Sequence, residues 1–281
     1  MKHIVKEKRN FMKRKLKHNV LILNLLLALF CSLWSIHLLD RAKINRLKED
    51  TIISELYREQ NIGEGMVQAL EKEENPGKKV GIYLLETKFG YQKNKVIDSD
   101  KWLSQKAWKT YYKYTSSIWN DLEYFPVPIS TTEKRYTVSY SNSWFAERTY
   151  GGKRGHEGTD IMADVNVRGI YPVLSMTDGV VTKKGWLEKG GYRIGVTTSD
   201  GAYFYYAHLA SYADIEVGDE IKAGDILGFM GDSGYGEEGT TGKFPVHLHV
   251  GIYIYPNGEE ISVNPYWALR FLEKYKISFA Y

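Results

Sequence analysis

Residues 20–39 (VLILNLLLALFCSLWSIHLL) are apolar apart from Asn24, two serines and His37. A run of roughly 20 apolar residues is enough for a helix to cross a bilayer, so this stretch governs how the rest of the chain is disposed. Just before it, residues 1–19 hold Lys2, Lys6, Lys8, Arg9, Lys13, Arg14, Lys15 and Lys17 against the single acid Glu7. A basic flank stays in the cytoplasm, which puts everything after the span outside the membrane. A cleaved signal peptide would place small residues at a cut site, where this chain has Phe30, Leu33 and Trp34. A lipid-modified cysteine would follow small residues, and Cys31 follows Phe30. The expectation is an uncleaved, single-pass anchor with membrane lipid as its partner.

The tail also explains the charge. The chain carries +4 overall and +7 in its first 19 residues, which leaves −3 for the remainder. A nucleic-acid-binding domain carries its positive charge on the folded face, so no nucleic-acid partner is expected. Cys31 is the sole cysteine, which excludes an internal disulfide and a thiolate metal cluster.

Residues 40–75 are charged, with Ile44, Leu47, Ile52, Leu56, Val67 and Leu70 at roughly helical spacing and interruptions at Gly63 and Gly65. That pattern predicts a helical stalk. Pro76 and Gly77 punctuate the chain, and residues 76–130 read as a mainly helical accessory segment rich in Trp and Tyr, closed by the linker Phe125-Pro126-Val127-Pro128. Over 131–281 the texture changes to short strands with glycine-rich turns: 179–182, 194–198, 202–208, 221–230 and 246–255. Asn264-Pro265 opens a short terminal helix through Tyr275. The predicted fold class is α+β: a mainly antiparallel β domain preceded by a transmembrane helix and helical segments.

Four of the seven histidines, His156, His208, His247 and His249, lie beyond the anchor, and each falls in a short motif. His156 and Asp160 stand four apart in a glycine-flanked turn; imidazole and carboxylate are both ordinary zinc ligands. Taken singly, such a pair is more often a surface hydrogen bond than a metal site. His247 and His249 stand two apart on a predicted strand, so both project from one face while Leu248 enters the other. One can bind metal while the other works on a substrate, or both can be exposed strand residues. His208 ends another strand. Three metal ligands plus two titratable groups match a catalytic zinc site, which keeps one position open, better than a structural site closed by four ligands.

Taken in order, Gly155-His156-x-Gly158-x-Asp160, Tyr206-Ala207-His208-Leu209 and His247-Leu248-His249 resemble the signature set of the lysostaphin/LytM-type zinc metallopeptidases. The likeness runs from about Asn142 to Trp267. It includes Gly169 to Val173, Asp178 to Val181, Val217 to Gly228 and Asn264-Pro265. The resemblance implies a duplicated-hybrid-motif fold, barrel-like, with Zn2+ held by His156, Asp160 and His249. His247 would be the general base, and His208 would steady the oxyanion or the attacking water. The implied activity is hydrolysis of peptidoglycan stem or bridge peptides without a covalent intermediate. The chain departs from the family at Pro245-Val246 and Val250-Gly251, which flank the paired histidines, and in the glycine- and acid-rich loop 231–244.

His156-Glu157 is not a helical His-Glu-x-x-His motif, because Asp160 takes the fifth place. Gly242-Lys243 is not a phosphate loop, since Phe244 replaces the required hydroxyl residue. A non-catalytic anchor or adaptor gripping a partner protein or the cell wall is the alternative function. A regulatory protein engaging residues 78–124 is a further partner that the aromatic segment permits.

Overall fold

The computed structural model describes residues 2–44, 47–93 and 99–281. Met1 of the basic tail and residues 45–46 of the expected stalk lie outside the described residues, as do the side chains of residues 2–11 and 40–44, Ile44 among them. The chain divides into two units, Met1–Leu47 and Lys48–Tyr281. The first contains helix α1 (Lys2–Ile44). Its stretch Met12–Leu39 is long and apolar enough to cross a membrane, and none of its side chains is buried.

The second unit begins with a helical layer: α2 (Gly63–Leu70), α3 (Pro76–Glu86) and α4 (Trp108–Trp119). Asn75 caps α3 by accepting a hydrogen bond from Lys78 N at 2.9 Å, and Pro76 fills the first turn, where a missing N–H costs nothing. Gly77 lets α3 and α4 approach closely, because a Cβ there would meet Ser116 Cα at 2.5 Å. Tyr57, Tyr111 and Trp119 form the layer's buried centre. Their polar tips all find partners: Tyr57 with Thr115 at 3.2 Å, Tyr111 with the Gly81 carbonyl at 3.1 Å, and Trp119 with Gln60 at 2.9 Å.

From Lys48 onward, the segment expected to form a stalk packs instead as short helices. Ile52, Val67 and Leu70 of the helical spacing are buried together with Ile62 and Met66, while Leu56 stays exposed, so most of that spacing is a core contact. Gly63 and Gly65, expected as interruptions, lie in the first turn of α2. Arg58 ties this segment to the β domain, donating to the Ser262 carbonyl at 2.9 Å and to its hydroxyl at 2.6 Å.

The β domain contains β1 (Thr159–Ala163), β2 (Pro172–Leu174), β3 (Gly179–Leu187), β4 (Gly191–Thr197), β5 (Tyr203–Tyr212), β6 (Glu220–Ile221), β7 (Ile226–Met230), β8 (His247–Ile254) and β9 (Ile261–Val263). With the short strand Val138–Ser139 they make a ten-stranded sheet. Its main path runs β6-β3-β4-β5-β8-β1, and every pairing in it is antiparallel. β7 joins β2 to β5, and the α helix Tyr266–Leu272 (α5) follows β9. The fold is therefore α+β with mostly antiparallel sheets, as expected; Ile129–Ser130 and Ser278–Phe279 make a separate parallel pair. The stretch 221–230, expected as one strand, is broken by a turn in which Asp225 accepts from Lys222 N at 2.8 Å. The terminal helix is α5 continued by a 3-10 turn, Glu273–Tyr275, and Asn264 accepts from Tyr266 N at its start.

Strand alternation separates the two faces of the sheet. Ile161, Ile194, Val196, Phe204, Tyr206, Leu248 and Val250 turn inward and are fully buried. Asp160, Tyr203, Tyr205, His247, His249 and Tyr253 turn the other way and line a cavity of about 780 Å³.

Candidate metal and active site

β8 lies between β1 and β5, with His249 opposite both Asp160 and Ala207. This register brings residues 89 positions apart in sequence into contact: His249 Nδ1 lies 2.9 Å from Asp160 Oδ1. His156 precedes β1 in a loop, and its Nε2 lies 3.0 Å from both Asp160 Oδ1 and His249 Nδ1. Gly158 makes this approach possible, since a Cβ there would meet the His249 ring at 2.4 Å.

The far side of each group is fixed. His156 Nδ1 faces the Ser143 carbonyl at 3.2 Å. The Ser143 hydroxyl lies 3.0 Å from the same nitrogen, so Ser143 engages Nδ1 and Nε2 is the atom that faces the cluster. Arg148 donates to Asp160 Oδ2 at 2.6 Å, which leaves Oδ1 for the cluster. Burial pushes the Asp160 carboxyl up, but hydrogen bonds from His156 and His249 outweigh it and hold the group well below the usual carboxylate range. His249 is pushed below its ordinary value by burial, against the pull of Asp160.

The donor set fits a divalent cation. One atom from each of His156, Asp160 and His249 lies within 4.8 Å of the others. That span matches ligands placed around one ion at roughly 2.0–2.2 Å. Two imidazoles and a carboxylate suit zinc.

His247 and His208 stand beside this triad. His247 Nδ1 donates to the Pro245 carbonyl at 2.7 Å, and His208 Nδ1 to the Ser233 carbonyl at 2.7 Å. Both Nε2 atoms are thereby left as acceptors, with the two rings 4.7 Å apart. His247 Nε2 is 3.8 Å from Asp160 Oδ1. His208 reaches the site by an irregularity. Regular alternation along β5 would send it inward, on the same face as Tyr206. Its backbone instead adopts a left-handed conformation (φ 63°), next to register shifts in the pairing with β4 and β7. Such outliers in a non-glycine residue concentrate at functional sites. Burial, then the neighbouring His247 and His249, push the His208 pKa well below its ordinary value, so the ring is neutral.

All five residues singled out from the sequence thus meet in one cavity. Sequence reasoning missed Arg148, Ser143 and the aromatic wall of Tyr235 and Phe244, which pack on His208. Arg148 and Ser143 lie in irregular chain ahead of β1, where no periodicity marks them. Tyr150 stacks on the cavity-lining Tyr235, 4.1 Å between ring centres.

Residues 154–265 match the family model Peptidase family M23, and the match contains all five residues. A crystal structure of a Ruminococcus gnavus protein assigned as a glycyl-glycine endopeptidase LytM shares 53% identity and a TM-score of 0.76. It covers 82% of this chain and 95% of its own. The chain belongs to peptidase family M23. Ahead of the M23 region, residues 42–121 match the LytM N-terminal domain, which takes in the helical layer. The L-Ala–D-Glu endopeptidase of Bacillus subtilis is 44% identical over 153 residues, 54% of this chain and 44% of that protein. Glycyl-glycine endopeptidase ALE-1 of Staphylococcus capitis is 32% identical over 111 residues, 37% of this chain and 29% of that protein. The M23 chain spans less than half the length of these curated relatives.

Proposed function

We propose that this M23 protein is a zinc-dependent endopeptidase that cuts peptide bonds in bacterial peptidoglycan while held at the membrane by α1. The observation that carries this reading is the convergence of His156 Nε2, Asp160 Oδ1 and His249 Nδ1 at mutual distances of 2.9–3.0 Å, with two further imidazoles facing the same space. Intact donors favour an enzyme over the adaptor alternative. The endopeptidase names of the relatives support the reaction class.

Zinc held by these three side chains would polarise the scissile carbonyl and acidify water. The chain's own residues do the rest. His247, with its Nδ1 proton committed to Pro245, presents Nε2 as the base that takes the proton of the attacking water and returns it to the leaving amine. His208, neutral and likewise an acceptor at Nε2, orients that water rather than donating to an oxyanion. Ser143 and Arg148 hold His156 and Asp160 in place. Phe244 and Tyr235 shield the two imidazoles on one side.

The apolar stretch of α1 and its basic flank support a membrane anchor with the amino terminus in the cytoplasm and the catalytic domain outside. The test uses the full chain in detergent micelles with isolated cell walls. Zinc-loaded protein is expected to release new amino termini, a chelator to stop the release, and added zinc to restore it. Release that persists after complete zinc removal would overturn the reading, as would none from any wall type.

A further inference from the structure

Away from the metal ligands, the same cavity holds a cation with nothing to bind. Arg193 lies on β4 and lines the cavity, half-buried. Its guanidinium Nε and Nη1 are buried with no hydrogen-bond partner, and among the described residues no carboxylate pairs with it. Of the cavity's other cations, Arg148 holds Asp160 and Lys183 stands 3.6 Å from Glu260, while Arg154 leaves its Nε alone buried without a partner and Arg193 leaves two nitrogens. The lining as a whole contains five basic residues against three acidic ones. Taking a guanidinium out of water without a partner is costly, and folded proteins seldom leave such a donor idle.

The position of Arg193 is also held firmly. The Tyr212 hydroxyl accepts from Arg193 N at 3.1 Å and from Gly185 N at 3.1 Å, bracing β4 against β3. Its side chain stands near the hydroxyls of Tyr203 and Tyr205, where its charge is felt. Tyr205 in turn packs edge-on against His249, with ring centres 5.9 Å apart. Arg193 and His249 are separated by β5, so their strands lie about 10 Å apart at the usual strand spacing. An arginine side chain extended toward the metal ligands covers much of that span. An anionic group one or two residues from the scissile bond would therefore fall within its reach.

We propose that Arg193 is a carboxylate-binding subsite that makes the enzyme select acidic stem peptides over uncharged glycine bridges. This rests on the peptidase reading and narrows its substrate class. Arginine pairs with carboxylate through two parallel N–H bonds, and Nε with one terminal nitrogen is a suitable edge for that. The two named bonds of the relatives differ in this respect: an L-Ala–D-Glu bond adjoins a carboxylate, while a glycyl-glycine bond does not.

The test compares three synthetic peptides on the zinc-loaded full chain: L-Ala–γ-D-Glu–L-Lys with a free α-carboxylate, the same peptide with that group as a carboxamide, and pentaglycine. Cleavage is read as kcat/KM, and binding is read by calorimetry on the His247→Gln variant. The free carboxylate is expected to be favoured over the carboxamide by about 10- to 100-fold in both readouts, the range of charge-assisted hydrogen bonds. Arg193→Gln should abolish the preference for the carboxylate peptide over the carboxamide peptide, and Arg193→Lys should recover part of it. Equal cleavage of the first two peptides by the wild type would overturn the subsite and leave the peptidase reading standing. Carboxylate-dependent binding without cleavage of any peptide would do the reverse. The wild-type comparison needs no variant, so a poorly folding Arg193→Gln protein does not blunt it.

Discussion

The helical layer and the cavity face of the sheet handle polar groups in opposite ways. In the layer, Tyr57, Tyr111 and Trp119 are buried, and each polar tip is matched to Thr115, Gly81 or Gln60. None of these three tips is left over for a ligand. On the cavity face, His156, Asp160 and His249 aim their free atoms at one point, His208 sits in a strained backbone conformation, and Arg193 has no partner. Satisfied polar groups make a region rigid; groups arranged but unsatisfied mark where a ligand completes the structure. The layer is thus assigned to stability, and the cavity face to chemistry.

Substitutions on the two sides should separate cleanly. His247→Ala should lower kcat by about 10²- to 10⁴-fold, the range for losing a general base, with zinc content and thermal midpoint retained. Zinc loss alongside would mean that His247 is a ligand instead. Trp119→Ala removes an indole packed on Phe271 and hydrogen-bonded to Gln60. It should cost about 3–5 kcal/mol of stability, read from denaturant unfolding, while the folded fraction keeps its specific activity. A selective loss of activity would break the division between the regions.

Arg148→Ala should weaken zinc affinity by about 10- to 100-fold, as for other groups that orient a ligand from behind. Competition with a chromophoric chelator measures this directly, and unchanged affinity would reduce Arg148 to a surface ion pair. The smallest effect concerns pH. The His208 pKa is depressed in the folded protein by burial and by His247 and His249. Below an unfolded value of about 6.5, the unfolded chain therefore binds more protons than the folded one. Stability of the metal-free protein should fall as pH drops through that value toward the depressed pKa, and should not change on this account above it. His208→Gln should flatten part of this slope in urea midpoints, whereas Trp119→Ala should leave it intact.

Strand alternation made much of the site legible in advance. His247 and His249 share a face because they stand two apart, and Leu248 is buried behind them as the pattern requires. Their meeting with His156 and Asp160 was implied by the order of motifs rather than by any local rule, since register over 89 positions is set by tertiary pairing. Periodicity could not show how His208 arrives: counting by twos from Tyr206 sends it inward, and only the left-handed backbone at that residue turns it outward. Arg148 and Arg193 carried no signal, because a positioning or unpaired arginine looks like any surface charge until its neighbours are known. The stalk was misread for a related reason: helical spacing at Ile52, Val67 and Leu70 reports a buried face without saying what buries it.

X-ray absorption at the zinc edge of the purified full chain, together with its metal content, bears most directly on the three-donor site. One zinc per chain is expected, with only nitrogen and oxygen neighbours at about 2.0–2.2 Å and the scattering signature of two imidazoles, reduced to one in His249→Ala. A chain that binds no zinc, or one whose zinc is ringed by four imidazoles or touches the sulfur of Cys31, would contradict it.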